Sequence, residues 1–157
     1  EQGEDKKDYL AWARQGLLTV CPGNEIDYSM VAAWYVNLYR QHGIRLYKIC
    51  MDRWGATYLA KELESYGFDV EKVIFDKHNV SNPFKTLEAD MRSKLFNYNN
   101  HEITKWCFNN TGVKVDNLGL VMPVKTQPNK RIDGTAAAIM CYFAYNKYRT
   151  EYLQALR

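Results

Sequence analysis

Two aspartates stand at positions where a carboxylate could take part in catalysis. Asp52 closes an apolar run in KICMDRWG, and Asp133 opens the segment DGTAAAIM after a basic stretch. The strand ends of open α/β sheets face the crevice in which ligands bind, so we expect Asp52 at such an edge. The alternative for both residues is capping of a helix or turn, because Asp is a favoured acceptor for the free N–H groups at helix starts.

Small residues follow Asp133, beginning with Gly134 and continuing with Ala136, Ala137 and Ala138. A helix with such a thin start packs closely on a sheet, which would bring the carboxylate near the strand ends. The two aspartates are 81 residues apart (133 − 52). Only the fold can therefore bring them together.

A carboxylate at a strand end, with a second one brought near it at a helix start, suits two-metal phosphodiester hydrolysis. Mg²⁺ and Mn²⁺ prefer oxygen ligands, and two such ions about 4 Å apart activate the attacking water and stabilise the leaving 3′ oxygen. Lys125, Lys130 and Arg131 precede Asp133 and could hold DNA phosphates. The alternative for these three cations is an ordinary solvated loop.

The composition is that of one globular domain, which we predict to extend over residues 1–157. With 46% hydrophobic and 25% charged residues, it excludes a disordered tail, a collagen-like fibre and a coiled coil. No apolar run of about 18 residues and no signal peptide is visible, so we expect no membrane partner. The net charge of +3 permits a nucleic-acid partner without demanding one.

Cysteines and histidines do not follow the spacing of a metal site. No Cys-x-x-Cys pair occurs, and the three histidines are scattered. The sequence therefore argues against a zinc ribbon, and it predicts buried, reduced cysteines of a cytosolic protein. These cysteines are Cys21, Cys50, Cys107 and Cys141.

Apolar periodicity predicts helices that alternate with strands. A helix capped by Asp27 is expected to end at Gly43, and residues 44–75 are typical of a β-α-β unit with parallel strands, the first over 44–52. A later helix should start with Asn82 as cap and Pro83 at its first position, and should run to about residue 97. The other predicted elements are helices over 9–17 and 102–109, a hairpin of 113–115 with 120–124, and a last helix from 132–133 past residue 145.

Four segments within residues 8–145 carry a resemblance to a known family. In chain order they are LLTVCPGNEIDYSMV, KICMDRWGATYLAKELESYGF, SNPFKTLEADM and KTQPNKRIDGTAAAIMCYFAY. Their order and spacing resemble the C-terminal nuclease region of tailed-phage terminase large subunits. The resemblance implies an α/β chain with an RNase H/integrase-like fold. It also implies a metal-dependent endonuclease that cuts concatemeric double-stranded phage DNA into genome units.

The same resemblance implies roles for the two aspartates. In that family one acid lies on the first strand, one ends the fourth strand and one lies on a late helix. Asp52 matches the fourth-strand acid and Asp133 the late-helix acid, so both are expected to bind Mg²⁺ or Mn²⁺. The first-strand acid and the ATPase domain have no counterpart in these residues. We therefore interpret the chain as a C-terminal portion of a terminase that binds metal weakly, cuts poorly and exposes a sheet edge, which favours a homo-oligomer.

The resemblance further implies partners and a setting. They are double-stranded DNA, the terminase small subunit and the portal protein, in the cytoplasm of the host cell. Two other functions stay open. The chain could be a non-catalytic fragment that binds DNA or a packaging partner, with salt-sensitive binding and no metal-dependent cleavage. It could also be another RNase H-like enzyme, such as a resolvase or transposase, although the mild net charge and the missing recognition-helix module argue against this.

Overall fold

The fold alternates helices with short strands. The computed structural model describes residues 7–55 and 57–157. Within these ranges the elements in chain order are α1 Tyr9–Arg14, α2 Tyr28–His42, β1 Ile49–Asp52, α3 Thr57–Ser65, β2 Val70–Val73, α4 Lys77–Arg92, α5 Glu102–Asn109, β3 Thr111–Val115, β4 Val121–Lys125 and α6 Asp133–Ala155.

These elements fall into two compact units. The first unit contains the described residues up to Val20 together with Asp76–Ile139, and the second unit contains Cys21–Phe75 together with Met140–Arg157. Helix α6 begins in the first unit and ends in the second. The single domain expected over residues 1–157 stays a prediction.

The second unit is built around the predicted β-α-β motif. Strands β1 and β2 pair in parallel, with Asp52 opposite Val73, and α3 forms the crossover between them. Ala32, Ile49 and Leu63 form the buried centre of this unit. Strand β1 is shorter than the predicted 44–52, because the four residues of β2 offer hydrogen-bonding partners only from position 49 onward.

Helix α2 begins and ends where the sequence predicts. The Asp27 carboxylate accepts the backbone N–H of Ser29 at 2.9 Å, which caps the start of the helix. Gly43 has a φ of 66° and caps the end in the left-handed conformation that glycine adopts without strain. Both caps are local, so their signals are readable from neighbouring residues alone.

Helix α4 of the first unit begins earlier than predicted. Asp76 is its cap, because the Asp76 carboxylate accepts the backbone N–H groups of His78 and Asn79, each at 3.0 Å. The prediction of Asn82 as cap and Pro83 as first residue is wrong, since both lie inside the helix. The helix also ends at Arg92 rather than near residue 97.

The predicted hairpin is confirmed, with β3 antiparallel to β4 and Val113 opposite Pro123. Asp116 shapes the turn, because its carboxylate accepts the backbone N–H groups of Leu118 and Leu120. A salt bridge of 2.6 Å joins Asp116 to Lys77 on α4. This salt bridge therefore connects the turn of the hairpin to α4 within the first unit.

The last predicted helix is also confirmed, as the 23-residue α6. In the described part of the chain no helix, α6 included, combines the length and apolar character that crossing a bilayer requires.

The four cysteines are free thiols, but they are not all core residues. Cys107 is buried as predicted, Cys21 and Cys50 are partly buried, and Cys141 is exposed. The prediction is wrong for Cys141 because its apolar run lies in a helix. Successive residues of a helix point to different faces, and here Ile139 and Met140 take the buried side.

Candidate functional site

Asp52 lies where the sequence predicts, at the carboxyl end of a parallel strand. It is the last residue of β1 and is partly exposed. One carboxylate oxygen accepts the backbone N–H of Trp54 at 3.3 Å, so the turn-capping alternative holds for that oxygen. Trp54 is 80% exposed, and its ring is therefore open to solvent rather than packed beneath the aspartate.

Asp133 is the first residue of α6, and its side chain is exposed. The residue at the cap position is Ile132, whose carbonyl accepts the backbone N–H of Ala136 at 2.9 Å. The Asp133 carboxylate makes no hydrogen bond or ion pair with the described residues. The capping alternative therefore does not account for this aspartate, although a negative charge in the first turn of a helix is favourable.

Residues on both sides of Asp133 are anchored to the corner between α5 and β3. The Asn110 side-chain amide donates to the carbonyl of Arg131 at 3.0 Å. Thr111 and Thr135 share a hydroxyl hydrogen bond of 2.8 Å. Asn110 and Thr135 are buried, which makes these bonds costly to break. The backbone around Asp133 is thus fixed while its carboxylate stays available.

Gly134 gives the start of α6 the close approach that the sequence predicts, but to a helix rather than to a sheet. A Cβ at this position would lie 3.1 Å from Sγ and 3.2 Å from Cβ of Cys107 on α5. Real side chains essentially never come closer than 3.0 Å, so this contact leaves little room. Glycine is needed here for space rather than for an unusual backbone conformation.

The three predicted DNA-contacting cations also belong to the first unit. Lys125 ends β4, while Lys130 and Arg131 lie in the connection to α6. Lys125 and Arg131 are exposed, Lys130 is partly exposed, and none forms an ion pair within the described ranges. The backbone of the connection is held by hydrogen bonds of Thr126 to Asn110 and of Lys130 to Gln127. An anion could therefore meet these side chains without displacing a carboxylate.

The two aspartates belong to different units, Asp52 to the second and Asp133 to the first. No group of three or more His, Cys, Asp and Glu that could hold a metal ion occurs among residues 7–55 and 57–157. The meeting of Asp52 and Asp133 at one metal site therefore stays a prediction. The donors themselves are of the right kind, since carboxylate oxygens are the ligands that Mg²⁺ and Mn²⁺ prefer.

Sequence reasoning missed Glu71, a carboxylate on β2 that ties the strand to α6 within the second unit. Lys147 donates to Glu71 at 2.5 Å, and the Tyr148 hydroxyl also donates to it. Burial acts to raise the pKa of Glu71, but these hydrogen bonds outweigh it and hold the pKa below the ordinary value. A glutamate inside a short strand was the available signal, because such a charge needs a partner.

Cys50 lies beside this carboxylate, with its sulfur 3.9 Å from Glu71. Burial raises the pKa of the Cys50 thiol to about 11, and the negative charge of Glu71 adds to the shift. The thiol is therefore protonated at neutral pH and is a packing group rather than a nucleophile.

A cleft of about 170 Å³ lies beside the start of β1, at the opposite end of the strand from Asp52. Aromatic rings and two cations form its walls, and Tyr47 contacts Tyr152 edge to face at 5.7 Å. This cleft is therefore not the predicted carboxylate site. Its lining residues are Tyr47, Lys48, Ala144, Tyr145, Tyr148, Arg149 and Tyr152.

Comparison with known proteins gives a family match and several relatives. The family model for the terminase large subunit, endonuclease domain, matches residues 1–148. Protein YmfN of Escherichia coli K12 is 32% identical over 150 residues, which cover 89% of this chain and 31% of that protein. The large subunit of the terminase of Enterobacteria phage HK97 is 29% identical over 149 residues, covering 94% of this chain and 29% of that protein. The chain thus spans about three tenths of these relatives.

Two solved structures resemble the fold. The HK97 bacteriophage large terminase superposes with a TM-score of 0.78 at 27% identity, over 89% of this chain and 29% of that chain. The large terminase nuclease from thermophilic phage G20c superposes with a TM-score of 0.59 at 16% identity, over 80% of this chain and 65% of that chain. The predicted α/β fold of the RNase H-like nucleases is therefore confirmed.

Proposed function

Because the chain belongs to the family of terminase large subunit endonuclease domains, we propose that it hydrolyses phosphodiester bonds of double-stranded DNA with Mg²⁺ or Mn²⁺. The observation that carries this proposal is the state of Asp133. Its carboxylate is exposed and makes no hydrogen bond or ion pair with the described residues, and it stands two residues after Arg131 in a connection whose cations lack carboxylate partners.

Asp52 and Asp133 are the residues that would hold the divalent cations. Bound cations would supply an activated water and stabilisation of the leaving 3′ oxygen. The contribution of the chain is two anionic oxygen donors on fixed backbone, one at the end of β1 and one at the start of α6. Each carboxylate has at least one oxygen that accepts no hydrogen bond from the described residues and could bind a cation.

Lys125, Lys130 and Arg131 would hold the DNA backbone beside Asp133. Phosphate contacts fix the position of a duplex without reading its sequence. The three cations, one at the end of β4 and two in the connection to α6, suit this task, because their side chains reach solvent and the connection has backbone hydrogen bonds.

The chain spans about three tenths of the length of these relatives. What a longer terminase that contains this domain would do is therefore also a proposal. We propose that the longer protein works in the host cytoplasm on concatemeric DNA, with the terminase small subunit and the portal protein as partners. A homo-oligomer fits the same setting.

Plasmid nicking by the purified 157-residue chain tests the proposal. We expect slow relaxation of supercoiled DNA that needs Mn²⁺ or Mg²⁺ and that falls by roughly 100-fold or more in Asp52→Asn and in Asp133→Asn, since each removes a metal ligand. The matched control is Glu64→Gln, which removes the same charge from an exposed position on α3.

The outcomes separate the open alternatives. Nicking that survives both aspartate substitutions would contradict the site assignment. Salt-sensitive DNA binding without metal-dependent nicking would indicate the non-catalytic binding fragment instead.

A further inference from the structure

The start of α6 lacks a local capping side chain. A helix leaves its first N–H groups without partners inside the helix, and the preceding residue usually supplies an acceptor such as Ser, Thr or Asp. Here the cap position is occupied by Ile132, whose side chain accepts no hydrogen bond. Solvent or another part of the molecule must therefore meet these N–H groups.

Cys107 on α5 meets them. Its sulfur accepts the backbone N–H groups of Gly134 and Thr135, and the residue is only 3% exposed. The contact depends on the missing side chain of Gly134, because an added Cβ would lie 3.1 Å from this sulfur. The thiol thus caps α6 through space, from a position 26 residues earlier in the chain (133 − 107).

Two further hydrogen bonds fix the same corner. Thr111 donates to the carbonyl of Cys107 at 2.8 Å and shares a hydrogen bond with Thr135. Asn110 holds the carbonyl of Arg131. Residues on both sides of Asp133 are therefore hydrogen-bonded to the short segment from Cys107 to Thr111. The position of the aspartate depends on that segment.

We propose that Cys107 is a positioning residue for Asp133: its buried thiol caps α6 and, together with Gly134, fixes the place from which the carboxylate reaches a divalent cation. This inference rests on the proposed function, because Asp133 must be a metal ligand for its position to matter. Burial raises the pKa of the Cys107 thiol, so the group acts as a neutral acceptor rather than as a nucleophile.

Metal affinity and catalysis of the full chain test this role together. We expect Gly134→Ala and Cys107→Ala to weaken Mn²⁺ binding, titrated by electron paramagnetic resonance, by about tenfold or more, because groups that orient a metal ligand have effects of this size. The kcat of plasmid nicking should fall in parallel, while KM for DNA should change less than about twofold, since the cations that hold DNA are untouched.

Conservative variants separate positioning from folding. Cys107→Ser keeps an acceptor of similar size, so Mn²⁺ affinity and kcat should stay within about threefold of wild type. Gly112→Ala is the control glycine of the same unit, because its added Cβ would meet the nearest atom at an ordinary 3.4 Å. All assays are run at a temperature at which circular dichroism shows every variant to be folded.

Each result decides the question. Wild-type Mn²⁺ affinity and kcat in folded Gly134→Ala and Cys107→Ala, beside a loss in Asp133→Asn, would overturn the positioning role and leave the nuclease proposal standing. A loss in Cys107→Ser as large as in Cys107→Ala would also overturn it. A wild-type chain that binds no Mn²⁺ would overturn both proposals.

Discussion

At the scale of single residues, the two candidate carboxylates are held in different ways. Asp52 uses one oxygen to accept the N–H of Trp54, whereas Asp133 uses neither oxygen within the described part of the chain. Replacement of Asp52 by Asn keeps an amide oxygen for the turn and removes only the charge. The Asp→Asn variants therefore separate loss of a metal ligand from loss of structure.

The cations before α6 give the first prediction. Alanine at Lys125, Lys130 and Arg131 together should flatten the plot of log K for duplex DNA against log salt by about 2.7, at roughly 0.9 for each phosphate that the protein no longer neutralises. Fluorescence anisotropy over a salt series measures the slope. Lys61→Ala, an exposed lysine of α3, is the control. A triple variant with the wild-type slope would contradict the assigned DNA contact.

At the scale of elements, helix starts separate what the sequence predicts from what it cannot. Asp27 was predictable because the cap and the N–H group it accepts are two residues apart. Asn82–Pro83 is an equally good local signal for a helix start. The helix nevertheless begins earlier, because the carboxylate of Asp76, six residues before Asn82 (82 − 76), accepts two backbone N–H groups. The cap of α6 was invisible to sequence reasoning because Cys107 reaches it only through the fold.

The corrected start of α4 gives the second prediction. Asp76→Ala should lower the free energy of unfolding by about 1 kcal/mol, because two N–H groups lose their acceptor. Urea denaturation at neutral pH measures the change. Asp76→Asn keeps an acceptor and should cost little. A larger loss in Asn82→Ala than in Asp76→Ala would contradict this helix start.

The same limits apply to strands and side-chain networks. The parallel pairing of β1 with β2 followed from the β-α-β pattern, but the length of β1 depends on the short partner strand. The place of Glu71 in a short strand signals that its charge needs a partner but does not identify the partner, because Lys147 lies 76 residues away in sequence. Local periodicity and caps therefore predict the elements, while long-range partners require the fold.

At the scale of the whole molecule, the two candidate aspartates do not share a unit. Each unit supplies one aspartate, and α6 contributes residues to both units. No spacing rule predicts a meeting of residues 81 positions apart (133 − 52). The family model matches residues 1–148, and the four segments that carry the resemblance are spread over residues 8–145 rather than gathered in one motif.

Stability in acid is a property of the whole molecule and gives the third prediction. A hydrogen bond from a neighbouring serine lowers the pKa of Asp27, and one from a lysine lowers the pKa of Asp116. For Glu71 burial opposes the shift, but hydrogen bonds from α6 outweigh it and lower the pKa. Folded carboxylates with lowered pKa values bind protons less readily than unfolded ones, so acid favours unfolding.

The stabilisation that these three carboxylates give the folded chain is fully present above the ordinary pKa values of 3.8 for Asp and 4.5 for Glu. It is lost as the pH falls through their lowered pKa values. The urea midpoint should therefore hold from pH 7 to about 5 and fall below about pH 4. Glu71→Gln should lower the midpoint at pH 7 and reduce its acid dependence, whereas Glu64→Gln should do neither. An equal response of the two variants would contradict the role of Glu71.

Diffraction from crystals of the chain soaked with Mn²⁺, recorded at the manganese absorption edge, would show whether Asp52 and Asp133 bind one metal site together. We expect anomalous density that both Asp52 and Asp133 contact through carboxylate oxygens at about 2.0–2.3 Å, the range of hard-cation bonds. Carboxylates on separate faces of the molecule, or manganese bound by one aspartate without the other, would contradict a shared site.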